Sequence, residues 1–223
     1  MSRGDPDELQ AARAQLVSYS ARLLADGLAV GSAGNISVLV GDIVAITPSG
    51  VSSAELRPAD ICLIAADGTE LACRETPSSE TPMHLAIYAA TNAAAVVHTH
   101  SPEVIALSAS RPELPAIHYA ITDLGGPVRV APYVRFGSAG LAEAAVGALD
   151  GRSAVILRNH GAVTYGRDLA QAYDRALLLE WLARTYRMAL SYGEPATLSA
   201  AELDEVTAEA RRRRYGERRR GAP

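Results

Sequence analysis

Lysine does not occur anywhere in this chain of 223 residues; all 21 of its lysine-or-arginine positions are arginine. A protein without lysine cannot hold a carbonyl substrate as a Schiff base on a side-chain amine, so carbonyl chemistry here would need another electron sink, and a bound metal that polarises the carbonyl is the natural substitute. Cysteine is nearly as scarce. The only two, Cys62 and Cys73, fall in neither a C-x-x-C nor a ligand-like spacing, which excludes a thiol redox motif or a cysteine zinc site and suits buried or idle thiols in a reducing cytoplasm. Long apolar runs are missing too. No stretch reaches the ~18 to 20 uncharged residues of a membrane span, and Met1 to Gln10 is polar and acidic with no apolar segment behind it. The expectation is a soluble, unexported, cytoplasmic protein with no membrane partner.

Aromatic residues make up 5% of the chain and its formal net charge is −4, a balance that argues against a nucleic-acid partner, whose binding domains are usually basic. Basic charge gathers only at the tail, where residues 211–220 hold seven arginines; such a run suits a solvated helix end or a subunit contact. What the chain does have is core-forming material, 48% hydrophobic over 223 residues, enough for one sizeable core. The reading is one domain over 1–223 with a basic tail at 211–223.

Chemistry enters at Val96-Val97-His98-Thr99-His100. Alternate residues of a strand point to one face, so H-x-H at a strand end lets two imidazoles converge on one point, half of a zinc site; the pair alone equally fits two surface histidines. His160, before Gly161 at another strand-to-loop junction, would complete a three-histidine site with an open position. His84 lies four residues after Glu80, so both can share a helix face, and spacing leaves His84 either a competing ligand or a hydrogen-bonded core histidine. Gly31 to Asn35, Thr47-Pro48-Ser49-Gly50 and Ser78-Ser79 offer hydroxyls, an amide and exposed backbone N–H groups, the makings of a neutral anion nest beside a helix N-terminus.

Asp5-Pro6 starts a helix whose apolar spacing runs to Asp26-Gly27. Strands are expected at Ile36–Val40, Ile43–Thr47 and Ile61–Ala65, with Asp67-Gly68 turning the chain into Leu71. A helix starts at Ser78-Ser79-Glu80 and carries Met83, Ile87 and Tyr88 inward, and Ala93 to Ala95 leads into the His98 strand. Then come a helix Pro102–Ser108, strands near Ala116–Tyr119 and Val128–Ala131, a helix Ser138–Leu149, a buried strand Ser153–Leu157, and helices Leu169–Tyr192 and Ala200–Arg213.

In their order along the chain, Gly34-Asn35-Ile36-Ser37, Thr47-Pro48-Ser49-Gly50, Pro77-Ser78-Ser79-Glu80, His98-Thr99-His100 and Asn159-His160-Gly161 resemble the class II aldolase/adducin family. Pro115-Ala116-Ile117-His118-Tyr119 and the segment Ala131 to Gly137 resemble its L-fuculose-1-phosphate aldolase branch, and the likeness covers nearly the whole chain. The resemblance implies an α/β fold of the AraD/adducin-like type, a central, mainly antiparallel β-sheet flanked by helices on both sides, assembled as a homotetramer with active sites at subunit interfaces. It implies one Zn2+ per subunit on Glu80, His98, His100 and His160, with Glu80 also the general acid/base. Asn35, Ser49, Gly50, Ser78 and Ser79 match the phosphate-binding positions, with Ser32 nearby. Tyr119 matches a proton donor supplied to a neighbouring subunit, and Tyr215 lies where the family carries a cross-subunit tyrosine. The implied reaction is retro-aldol cleavage of a ketose 1-phosphate, with L-fuculose 1-phosphate the first choice, to dihydroxyacetone phosphate and L-lactaldehyde; short aldehydes from 5-deoxypentulose phosphates are the next choice. A pentulose-5-phosphate 4-epimerase, a sugar-phosphate dehydratase or decarboxylase, and a non-enzymatic adducin-type head are the alternatives. The epimerase usually has aspartate where Glu80 stands.

Overall fold

The computed structural model describes residues 4–213. Among them, nine strands form one sheet: β1 (Asn35–Val40), β2 (Ile43–Ile46), β3 (Cys62–Ala65), β4 (Glu70–Ala72), β5 (Ala95–Thr99), β6 (Glu113–Leu114), β7 (Val128–Ala131), β8 (Ala154–Leu157) and β9 (Gly161–Gly166). Their spatial order is β4-β3-β2-β1-β5-β9-β8-β7-β6. Every pairing is antiparallel except β7 with β8, so the sheet is mainly antiparallel as expected. Helices α1 (Pro6–Ala25), α2 (Thr81–Ala90), α3 (Pro102–Ser110), α4 (Ala139–Leu149), α5 (Leu169–Leu190) and α6 (Ala200–Arg212) complete the fold. No helix of the described residues is long and apolar enough to cross a membrane.

Strand alternation sorts the core into two faces. On β5, Ala95 and Val97 pack with Leu16 and Leu23 of α1 and Tyr173 and Ala176 of α5. Val96, one residue out of phase, packs with Met83 and Ile87 of α2 and Leu141 and Ala145 of α4. The period of two therefore gives helices on both sides something to cover. A third cluster joins Val104 of α3, Leu182 of α5 and Leu203 of α6 to Ile156 of β8. Truncating a fully buried side chain such as Ile87 would cost about 2–5 kcal/mol.

Helix boundaries follow local chemistry. The Asp5 carboxylate accepts from the N–H of Asp7 and Pro6 opens α1. Ser138 caps α4 and Asp168 caps α5 by the same device. Two expectations need correction. No strand forms at Ala116–Tyr119; instead Tyr119–Leu124 is a 3-10 turn, because the Nδ1 of His118 accepts from the N–H of Ala120 and two left-handed glycines, Gly125 and Gly126, end it. The run Gly161 to Gly166, given no role beyond the histidine motif, is a strand and pairs with both β5 and β8. Cys62 is buried and Cys73 partly so, both free; burial, reinforced by Cys73, pushes the Cys62 thiol far up, which makes it inert.

Candidate active site

Three central strands set the site. Antiparallel pairing places Asn35 of β1 opposite His98 of β5, and His98 opposite Val163 of β9. Residues paired this way share a face, so Asn35, Ser37 and His98 all look toward α2. The chain then leaves β5 with His100, whose N–H donates to the carbonyl of Leu28 at 2.9 Å. His160 comes from the tight β8–β9 hairpin. Its predecessor Asn159 has φ 54°, the left-handed conformation, which asparagine tolerates better than most residues. Gly161 is required by a close approach, since a Cβ there would lie 2.0 Å from the carbonyl oxygen of Thr99.

These loops bring three imidazoles and one carboxylate together. The ligand atoms of Glu80, His98, His100 and His160 all lie within 4.8 Å of one another. His98 Nε2 is 3.0 Å from His100 Nε2 and 2.9 Å from Glu80 Oε2. His160 Nε2 is 3.3 Å from Glu80 Oε1. The Nδ1–H of His98 donates to the carbonyl of Ala162 at 2.9 Å, which fixes the tautomer and leaves Nε2 as a lone pair aimed at the other donors. Lone pairs of two imidazoles and a carboxylate at 3 Å repel, so a proton on His98 Nε2 or a shared cation must lie among them. Glu80 Oε1 is buried with no hydrogen-bond partner among the described residues, an arrangement that costs about 1–3 kcal/mol unless something binds it. The donor set and the orphaned oxygen fit a divalent cation.

Electrostatics agree with this geometry. Burial raises the Glu80 carboxyl, but the neighbouring His98, the hydrogen bond from Asn35 and the nearby His160 outweigh it and hold the group well below the usual carboxylate range. Burial, then His98 and His160, push His100 down to about 4. Burial and His98 likewise lower His160. Neutral imidazole is the form that binds metal.

A cleft of about 340 Å³ opens on the group, lined by Glu80, His100 and His160 and by every residue expected to hold phosphate, Asn35, Ser49, Gly50, Ser78 and Ser79, with Ser32 beside them. Backbone bonds hold its parts together. The N–H of Ser49 donates to the carbonyl of Thr76 at 2.8 Å, Pro48 bridges Pro77, and Gly50 takes a φ of 71°. Ser78, Ser79 and Glu80 lead into the N-terminus of α2, whose dipole favours an anion.

Residues 14–187 match the model of the Class II Aldolase and Adducin N-terminal domain. The chain belongs to this family. It is 37% identical over 201 residues to a 5-deoxy-D-ribulose 1-phosphate aldolase of Bacillus thuringiensis serovar kurstaki, covering 89% of this chain and 94% of that one. It is 39% identical over 203 residues to a 5-methylthioribulose-1-phosphate/5-deoxyribulose-1-phosphate aldolase of Rhodospirillum rubrum, covering 90% and 91%. A solved L-fuculose 1-phosphate aldolase superposes with a TM-score of 0.87 at 33% identity, covering 90% of this chain and 96% of the other.

In this class II aldolase His84 stands outside the metal group. It is fully buried; its Nε2–H donates to Asn35 Oδ1 at 2.6 Å and its Nδ1 accepts from Ser37 at 2.7 Å. Of the two readings the spacing allowed, the core one describes its contacts. Asn35 lines the cleft, yet its amide is already engaged, with Nδ2 donating to Glu80 Oε2 at 2.9 Å; one Nδ2 hydrogen remains for a ligand. Tyr119 does not line the cleft of its own chain: its ring is 55% exposed and stacks on His118 at 4.4 Å, while His118 meets Trp181 edge-on at 5.0 Å. Tyr215 lies outside the described residues. The sequence reading gave no site role to Tyr133, Val134 and Phe136, which form an apolar wall of the cleft. A signal existed, for all three lie in the Ala131 to Gly137 segment that resembles the aldolase branch, and Phe136 is the only phenylalanine in the chain.

Proposed function

We propose that this class II aldolase cleaves a ketose 1-phosphate between C3 and C4, releasing dihydroxyacetone phosphate and a short aldehyde, with one divalent cation held by Glu80, His98, His100 and His160. The observation that carries the reading is the convergence of three imidazoles and a carboxylate within 4.8 Å on a cleft that also holds the serine-rich anion nest. Imidazole and carboxylate donors suit Zn2+. When bound, the cation would supply positive charge to stabilise the enediolate left by cleavage. Loss of the C4 hydroxyl proton breaks the C3–C4 bond, and its electrons pass into the three-carbon fragment. Glu80, through its free oxygen, takes up the C4 hydroxyl proton as general base and returns it to C3 as general acid, so the proton lost at C4 is the one gained at C3. Ser49, Gly50, Ser78, Ser79 and Asn35 hold the phosphate through hydroxyl, amide and backbone N–H groups without any lysine or arginine. That neutral cradle leaves the positive charge to the metal side.

For the aldehyde end, the apolar wall of Tyr133, Val134 and Phe136 suits a substrate that ends in a methyl or thioether rather than a hydroxyl. L-fuculose 1-phosphate and the 5-deoxypentulose 1-phosphates both end in a methyl and suit this wall equally; the two 5-deoxyribulose-1-phosphate aldolase relatives are what put a 5-deoxypentulose 1-phosphate first. Tyr119, exposed and stacked on His118, is assigned to a neighbouring subunit's site in a homotetramer, its exposure away from its own cleft supporting that reading, and Tyr215 is assigned the same duty. Purified enzyme assayed against 5-deoxyribulose 1-phosphate, 5-methylthioribulose 1-phosphate and L-fuculose 1-phosphate, with dihydroxyacetone phosphate as the readout, tests the reading. The highest kcat/KM is expected for one of the first two. Interconversion of pentulose 5-phosphates with no three-carbon product would replace aldolase by epimerase.

A further inference from the structure

Behind Glu80 runs a line of polar side chains, of which Ser37, His84 and Tyr88 have no part in the cleavage reaction. Tyr88 and Ser37 are joined through their hydroxyls at 2.7 Å, Ser37 meets His84 Nδ1 at 2.7 Å, His84 Nε2 meets Asn35 Oδ1 at 2.6 Å, and Asn35 Nδ2 meets Glu80 Oε2 at 2.9 Å. Two periodicities build it. Asn35 and Ser37 are two apart on β1, and Glu80 at the N-cap of α2, His84 and Tyr88 are spaced four apart, so one strand face and one helix face interlock as alternating links. Ser37 and His84 are wholly buried. Packing alone would be served better by alanine and leucine there.

We propose that His84, backed by Ser37 and Tyr88, is a positioning residue that fixes the direction of the Asn35 amide and, through it, the carboxylate of Glu80. Donor and acceptor rules force the order. An ionised Glu80 only accepts, so Asn35 must offer it Nδ2 and turn Oδ1 toward His84. His84 must then donate from Nε2, which leaves Nδ1 to accept from Ser37, and Ser37 in turn accepts from Tyr88. Reversing the Asn35 amide would set an NH2 against the His84 N–H and an oxygen against the carboxylate. The chain thus holds Glu80 Oε2 through Asn35 while Oε1, which has no hydrogen-bond partner among the described residues, is left for the metal and the proton. This inference rests on the metal-aldolase reading above.

The test uses cobalt(II) in place of zinc on chelator-treated full-length protein, because its visible spectrum reports the ligand geometry. Wild type should bind one cobalt per chain. His84→Leu should keep its fold by melting but bind cobalt ~10- to 100-fold more weakly or lose kcat by a similar factor, as partners behind a ligand typically do, with an altered spectrum. His84→Gln, whose amide can still donate to Asn35 and accept from Ser37, should restore spectrum and kcat. A folded His84→Leu with native affinity, spectrum and kcat overturns the inference while leaving the metal reading intact. Wild type that takes up no cobalt overturns the metal reading and the inference with it. Should His84→Leu fail to fold, Ser37→Ala carries the test: it frees His84 to change tautomer, so a shifted spectrum supports the chain and an unchanged spectrum, affinity and kcat refutes it.

Discussion

Replacing His100 by alanine asks most directly whether the four donors act as one site. His100 is partly exposed and its Nε2 lies 3.0 Å from that of His98, so the substitution removes a donor without opening a hole in the core. A ligand that binds only the folded protein stabilises it by RT ln(1 + [L]/Kd), about 2.7 kcal/mol at a hundredfold excess over Kd. For a chain of 223 residues each kcal/mol moves Tm by about 2–4 °C, so zinc at that level should raise the wild-type Tm by about 5 to 11 °C. If loss of one donor weakens binding ~100-fold, the same zinc gives only RT ln 2, about 0.4 kcal/mol and about 1 to 2 °C. Differential scanning fluorimetry of chelator-treated protein with and without added zinc reads the two increments. His118→Ala, a histidine on the 3-10 turn outside the group, should respond to zinc as wild type does. Equal increments in wild type and His100→Ala would show that His100 is no ligand and that the convergence of imidazoles has another cause.

Glu80→Gln keeps an oxygen donor but cannot carry the proton; metal analysis should find zinc largely retained while kcat falls by the ~10² to 10⁴ of a lost general acid/base, and near-native turnover would remove Glu80 from that role. Stability without metal should fall with acid because of His84, which burial and His98 lower from 6.5 to about 3. Between those values the unfolded chain binds the extra proton, so unfolding free energy drops as pH falls through that window, by up to about 1.4 kcal/mol per pH unit, and is unaffected above it. Urea melts at pH 7 and pH 5 in chelator should show a shallower drop for His84→Gln; an unchanged slope would mean that His84 charges freely in the folded protein. Gly161→Ala puts a Cβ 2.0 Å from a backbone oxygen and should cost about 1–3 kcal/mol or more, as overpacking does, with zinc binding weakened because the same glycine seats His160; native stability with native zinc uptake would contradict the close approach.

The convergence of His98, His100 and His160 was legible because each sits on a motif that states its own local geometry. H-x-H at the end of β5 needs only the strand period to make two imidazoles converge, and His160 sits on a hairpin whose sequence, Asn159-His160-Gly161, states its own backbone demands: a left-handed asparagine and a glycine against a neighbouring carbonyl. The stretch Ala116–Tyr119 was misread as strand because Ile117 and Tyr119 have strand-forming side chains, while the capping of Ala120 by His118 depends on a rotamer that no propensity encodes. β9 was missed although Val163, Thr164 and Tyr165 favour strands, since flanking glycines at 161 and 166 resemble loop boundaries.

His84 shows most sharply where local reading ends. Four residues from Glu80 on one helix face, it satisfied the spacing of a ligand as well as that of a core residue, and nothing within α2 separates the two. The decision comes from another element. Register between β1 and β5 sets Asn35 opposite His98, and from there its amide reaches both Glu80 Oε2 and His84 Nε2, so His84 meets an amide oxygen instead of the metal group. A shift of β1 by one residue would turn Asn35 and Ser37 to the opposite face of the sheet, leaving His84 with no partner on that strand and Glu80 with one restraint fewer. The same histidine, on the same helix, would then no longer be held away from the four-donor group. Its role is therefore written jointly in Asn35-x-Ser37 and Glu80-x-x-x-His84, two patterns that acquire meaning only when the sheet brings them face to face.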